Sequence, residues 1–214
     1  MVAVITGDIV ASSQLGKEGR KQLFNQLDVI GNDMQRHIGG IRSEIFRGDS
    51  IQILVKQPER ALKAAMLMRT GLKRGLYQHQ NSYPIDIRLA IGVGEIGYEG
   101  ESLGTSDGEA FQLSGRALDQ MKRRESLKIN TPWPEINQEM ALACALSEAI
   151  TGRWSAAQAE IIYAYLLQQK TQQELAKEFG ISQGAVSQRM SESGYIDAIK
   201  LFIQRFEQII KAKQ

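Results

Sequence analysis

The apolar pattern of this chain changes its period once. Up to about residue 126, short β-type runs alternate with helical ones, and beyond that only helical periods remain. "MVAVIT" is a strand. "GRKQLFNQLDVIGNDMQRHI" spaces Leu23, Leu27, Ile30 and Met34 by three and four, as an amphipathic helix does. "SEIFRGDSIQILV" reads as two strands around a turn at Arg47-Gly48-Asp49-Ser50. "PERALKAAMLMRTGLKRGL" is a helix begun by Pro58, "IDIRLAIGV" a strand, and "DGEAFQLSGRALDQMKR" a helix. The order β-α-β-β-α-β-α is the split βαβ arrangement of a ferredoxin-like sheet.

The second half breaks its helical periods at Gly152, Gly180 and Gly194, and Pro132 and Pro134 in "NTPWPEIN" mark a connection. The expected class is α+β: a ferredoxin-like domain over 1–125, a linker and connecting helix over 126–152, and an all-helical domain over 153–214. No internal repeat or low-complexity tract interrupts this plan.

Composition narrows the function classes. The 26 Lys and Arg against 24 Asp and Glu give a net charge of +2, and neither half is polybasic, so nucleic-acid binding must come from local placement of charge. Cys144 is the only cysteine, which rules out an internal disulfide and a Cys-based zinc site. The apolar start is too short to span a bilayer and lacks the flanks of a signal peptide. A soluble protein of the reducing cytoplasm, with no membrane partner, is expected.

One residue stands out in the opening strand. Asp8 follows Val2–Gly7 where a sheet interior wants apolar side chains, and Asp49 sits in the hairpin turn. In a split βαβ sheet the first strand neighbours the hairpin, so the two carboxylates can converge as a hard-oxygen site for Mg²⁺ or Mn²⁺ carrying a nucleotide's phosphates. Gly7 and Gly48, each directly before its Asp, would let phosphate approach the backbone. The plainer alternatives are a helix cap for Asp8 and a turn preference for Asp49. "GVGEIG" at 92–97 satisfies G-x-G-x-x-G, but no helical period follows it, so a loop is expected rather than a dinucleotide site. His37 and His79 read as solvated surface residues.

The segments "ITGDIVAS", "IFRGDSIQILV", "IRLAIGVGEI" and "GEAFQLSGRAL" resemble the successive blocks of class III nucleotidyl cyclase domains over roughly residues 1–122. That resemblance implies metal binding by Asp8 and Asp49, with Thr105, Gln112 and Arg116 standing at the places that contact the nucleotide. It also implies a homodimer, because sites of that family are shared across a two-fold axis. Three departures point to altered base recognition: Ile45 replaces a purine-reading Lys, Gln112 is a methylene longer than the family's Asn, and Thr105 stands where many members have Asp. Nucleotide binding is therefore expected ahead of cyclisation.

"TQQELAKEFGISQGAVSQRMSESGY" carries a second pattern. Thr171 and Glu174 form a capping box, Leu175, Ala176 and Phe179 face inward, Gly180 ends the helix, and Ser182 caps a second one with Val186 and Met190 on its buried side. This is a helix-turn-helix. With the preceding "SAAQAEIIYAYLLQQK" it resembles the fourth-region helix-turn-helix of sigma factors. Gln183, Ser187, Gln188 and Ser191 would face base edges of double-stranded DNA, where glutamine suits adenine. Lys170, Lys177 and Arg189 would contact phosphates, and the Ser182 cap belongs to the same expected DNA-binding set. The tail 196–212 reads as an amphipathic helix that packs on the helix-turn-helix or dimerises. The combination resembles the SatD family across the whole chain. A DNA-binding regulator that senses a nucleotide with a divalent metal is the leading expectation, ahead of a tethered cyclase and of a ligand-free dimerisation scaffold.

Overall fold

The sheet is built as the alternation of periods requires. In the computed structural model, which describes residues 1–46, 48–75, 85–193 and 196–214, strands β1 (Val2–Val10), β2 (Ile41–Phe46), β3 (Ser50–Val55), β4 (Asp86–Gly94) and β5 (Leu127–Asn130) lie in the order β2-β3-β1-β4-β5. The first four pair antiparallel, with β1 central, which is the ferredoxin-like order. Helices α1 (Lys17–His37) and α2 (Ala61–Gly75) cover one face of the sheet, and α3 (Glu109–Asp119) covers the other.

Period two divides β1 between these faces. Ala3, Ile5 and Ile9 join the core under α1 and α2, whereas Val4 packs with Ala110 and Phe111 of α3. Thr6 hydrogen-bonds Ser114 of α3 at 2.9 Å, so Asp8, two residues on, belongs to the α3 face. The close seating of α3 depends on Gly92, where a Cβ would stand 2.2 Å from the Ala110 carbonyl oxygen. In "GVGEIG" the glycines thus serve helix packing and a loop, and no helix opens there.

Two expectations about the second half are corrected. The stretch 126–152 is not a linker: β5 pairs parallel with β4, and α4 (Pro134–Thr151) turns back to bury Ile136, Met140 and Cys144 in the main core. Four residues are too few to show a strand period, which is why β5 escaped the sequence reading. Nor is 153–214 a separate domain. Helix α5 (Ala156–Gln168) lies along α2, and α8 (Ile196–Lys211) packs on α2, on α4 and on the 3-10 turn Pro58–Arg60. Ile162, Tyr163, Phe206 and Ile210 share one continuous core with Leu23, Leu62 and Ile53.

The reason lies in α2 itself. Its sequence ALKAAMLMRTGLKRG buries residues on every side, and such a helix needs cover on both faces. The sheet supplies one cover and α5 the other. Tyr163 is the centre of the second contact: it is fully buried, its hydroxyl donates to Asp33 of α1 at 2.7 Å, and the Arg74 guanidinium lies 3.5 Å from its ring centroid. Burial, then the bond to Asp33, holds its phenol pKa well above the ordinary value.

A buried polar clamp ties the remaining elements. Arg69 of α2, 3% exposed, donates to both carboxylate oxygens of Asp86 at 2.9 Å, to Glu148 of α4 at 3.0 and 3.2 Å, and to Thr151 at 2.6 Å. Burial acts to raise the Asp86 pKa, and the bond and charge of Arg69 with that of Lys73 outweigh it, holding the carboxyl below its usual value. Tyr163→Ala should cost about 3–5 kcal/mol and lower the stability of β1 and of the helix-turn-helix together, read by hydrogen exchange at both places.

Candidate functional site

The hairpin turn that carries Asp49 lies beside the end of β1 that carries Asp8. Asp8 pairs in register with Ser50 of β3 and Arg88 of β4, and the Ile9 amide donates to the Asp49 carbonyl at 2.9 Å, seating the hairpin turn against the end of β1. Gly48 takes φ 84°, a left-handed turn conformation that explains its glycine, with open space around it. Gly7 has a different reason. A Cβ there would stand 2.7 Å from Leu89 and 2.9 Å from Ile51, so this glycine is set by packing on the buried face opposite Asp8.

Arg88 escaped the sequence reading and sits at the heart of the site. Its guanidinium pairs with the Asp8 carboxylate at 2.6 Å, both side chains about a third exposed. The register alone, Asp8 opposite Arg88, would have revealed it once the pairing was known. Two aspartates are the acidic groups here, and the described residues hold no cluster of three or more metal-ligating side chains. Such a donor set suits a magnesium-type ion that takes most of its oxygens from phosphate and water, and does not suit a metal held by protein alone.

The other nominated nucleotide residues lie apart from the aspartates. Thr105 ends the short 3-10 turn Leu103–Thr105, where its hydroxyl closes a capping box with Ser102. Gln112 and Arg116 are exposed on the outer side of α3, while Ala110, Ser114 and Ala117 of the same helix face inward. Arg116 donates to Gln112 at 3.4 Å, and Gln112 donates to Asp107 at 3.4 Å. Within one chain this polar row points away from the sheet that bears Asp8. Ile45, at the base-reading place, lies opposite Ile51 and is 37% exposed.

The helix-turn-helix is built from its caps inward. Thr171 and Glu174 exchange bonds, Thr171 N–H to the Glu174 carboxylate at 2.7 Å and Glu174 N–H to the Thr171 hydroxyl at 3.3 Å, to start α6 (Gln172–Phe179). The backbone bond from Thr171, then its hydroxyl, holds the Glu174 carboxyl below its ordinary pKa. Gly180 takes φ 62° and Ile181 N–H bonds the Ala176 carbonyl at 3.1 Å, a left-handed helix end. Ser182 then caps α7 (Gln183–Glu192) by accepting from Ala185 N–H at 3.1 Å. Ile161, Ala164, Leu175, Ala176 and Val186 form its small core.

Gln183, Ser187, Gln188 and Ser191 are exposed on α7, as a recognition helix needs. Gln188 donates to Glu192 at 2.7 Å, a bond that base contact would exchange. The cations are more restrained than the sequence suggests. Lys170 pairs with Glu178 at 2.8 Å and Arg189 lies 3.9 Å from Glu160, which leaves Lys177 as the one nominated cation without a carboxylate partner among the described residues.

The sigma-70, region 4 family matches residues 155–193, which spans α5 to the end of α7. No curated protein matches the chain in sequence. Among solved structures, the adenylyl cyclase CyaB from P. aeruginosa is 18% identical over 60% of this chain and 75% of its own, with TM-score 0.44. The guanylyl cyclase Cya2 is 19% identical over 65% and 77%, with TM-score 0.45. A bacterial light-regulated adenylyl cyclase is 18% identical over 60% and 74%, with TM-score 0.40. The helical half therefore contains a helix-turn-helix similar to sigma-70 region 4. Gly180→Ala should destabilise this unit by about 1–2 kcal/mol from backbone conformation, since no atom lies within 4 Å of the added methyl. Faster amide exchange in α6 and α7 would report it.

Proposed function

We propose that this protein is a DNA-binding regulator whose sheet half binds a nucleotide together with Mg²⁺ or Mn²⁺. The observation that carries the DNA half is the capped helix-turn-helix with Gln183 and Gln188 exposed on its second helix, within the span that resembles sigma-70 region 4. Glutamine amides donate and accept at once and suit adenine edges in the major groove. With most of its nominated cations paired, a single unit gains little from phosphate contacts and binds weakly. A homodimer carrying two such units offsets that weakness through effective concentration.

Support for the nucleotide half is the seating of the Asp49 turn beside the strand end that bears Asp8, where Arg88 pairs with Asp8. Asp8 and Asp49 would hold a metal that arrives with phosphates, and the ion would supply charge neutralisation there. Arg88 serves as the counter-charge of Asp8 in the free protein and can turn to a phosphate oxygen in the bound one. The site would be completed across a two-fold axis, the aspartates of one copy facing Gln112 and Arg116 of another, because those two point away from the aspartates of their own chain. Ile45 offers no hydrogen bond to a base, so the reading is one of binding rather than turnover.

Asp8→Asn and Asp49→Asn should each abolish Mn²⁺-dependent heat of nucleoside triphosphate binding in calorimetry while leaving the circular dichroism spectrum unchanged. Binding equal to the parent protein in both variants would overturn the metal-site assignment. Gln183→Ala combined with Gln188→Ala should lower affinity for a selected DNA duplex by about 10-fold or more in fluorescence anisotropy, with nucleotide binding retained. A protein that stays monomeric in sedimentation with nucleotide and metal present would remove the shared-site arrangement.

A further inference from the structure

The two halves of the chain meet around a cavity of about 330 Å³ whose lining includes neither of the two aspartates and no residue of α7. Its walls come from the end of α1, the 3-10 turn Pro58–Arg60, the first turn of α2, the end of α5 and the middle of α8. Four basic side chains line it: His37, Arg60, Lys63 and Lys200.

The charges of Arg60, Lys63 and Lys200 are only partly compensated, with Glu207 acting on Lys63 across the wall. Among the described residues, Arg60 donates to the Ile38 carbonyl at 2.6 Å, Lys200 reaches the Tyr165 hydroxyl at 3.4 Å, and none of Arg60, Lys63 and Lys200 makes an ion pair within 4 Å. Of the two carboxylates in the wall, Glu207 pairs with Lys211 at 2.5 Å, while Glu59 accepts from the neutral Gln214 amide at 3.1 Å and keeps its charge at the cavity. His37 bonds the Asp33 carbonyl through Nδ1 at 2.9 Å, which leaves Nε2 as its other hydrogen-bonding atom. Burial, then the neighbouring charge of Arg60, holds the Lys63 ammonium pKa below its ordinary value.

A half-buried lysine beside an arginine costs free energy in the absence of an anion. One part of the wall is apolar, formed by Ile38, Leu166 and Ile203. With Glu207 offset by Lys211, the three cations Arg60, Lys63 and Lys200 against Glu59 leave an excess of two positive charges, which matches a phosphate dianion, whereas a single carboxylate would leave half of it unpaired. The apolar wall and Tyr165 suit a compact ring or hydrocarbon body on that phosphate.

We propose that this cavity binds a small phosphate monoester, held by Arg60, Lys63 and Lys200, against the connection that leads into the helix-turn-helix. That connection is part of the wall: Gln169, in the left-handed region at φ 52°, ends α5 two residues before the Thr171 cap of α6. A non-glycine residue in that region is strained, and strain of this kind gathers at ligand and switch sites. An occupant touching Gln169 and Tyr165 acts on the segment that positions α6.

Calorimetry and backbone amide NMR on the full chain test this with phenyl phosphate, inorganic phosphate and benzoate as probes. Phenyl phosphate should bind saturably and most tightly, with inorganic phosphate weaker for want of the apolar body and benzoate weaker for want of the second charge. Amide shifts should include Gln169 and Lys170. Lys63→Met, which keeps the length of the stem, and Lys200→Gln, at an exposed position, should each weaken phenyl phosphate by about 10-fold with the fold intact by circular dichroism. No saturable binding of phenyl phosphate, or parent-like binding by both variants, would overturn the site. Displacement of phenyl phosphate by duplex DNA would assign these cations to the nucleic-acid backbone and overturn the small-molecule reading.

Discussion

Helix α2 is the constraint from which the architecture follows. Eleven of its fifteen residues are buried, from Ala61 to Leu72, so it cannot lie on a sheet with its back to water. Leu62 and Met66 are as fully enclosed as any side chain in the sheet. Something must cover its outer side, and the chain uses α5 and α8 to do so. The clamp of Arg69 on Asp86, Glu148 and Thr151 then ties α2 to β4 and α4 with direction as well as area. Removing one partner from a buried set of this kind leaves a charge uncompensated, which makes it a stronger tie than a surface pair.

This arrangement changes what the helix-turn-helix is. A recognition helix tethered by a linker samples many orientations, whereas here α7 rests on α5 through Ile161 and Ala164, and α5 rests on α2. The position of α7 is consequently set by the sheet half. Rearrangement of α2 or α5 has a mechanical route to α6 and α7, and the route is short.

At the other end of the molecule, the polar end of the sheet is organised by register. Asp8, Ser50 and Arg88 stand side by side because three strands pair at that row, and a backbone bond from Ile9 holds the turn bearing Asp49 beside it. An arginine opposite an aspartate stabilises the row in the absence of any ligand. It also means that an ion entering beside Asp8 must compete with a guanidinium at 2.6 Å, a cost that a phosphate able to engage Arg88 would offset.

Much of this was legible in the residues alone. Alternation of periods determined four of the five strands and the helices beside them, since a period of two or 3.6 is a local property of which side chains seek the core. Caps are equally local, and Thr171, Glu174, Gly180 and Ser182 specified the helix-turn-helix to within a residue. What tertiary structure decided was partnership. The stripe of Ile199, Phe202 and Phe206 showed that α8 has a buried face but not that α2 and α4 would cover it. The four residues of β5 carry too little pattern to be seen, and parallel pairing to β4 is a contact between distant segments. Arg88 on Asp8, Leu89 and Ile51 against Gly7, and the cations of Arg60, Lys63 and Lys200 around one cavity all join residues far apart in sequence. A one-dimensional pattern reports whether a side chain prefers burial or water; only the register and packing of the folded chain determine which groups it meets.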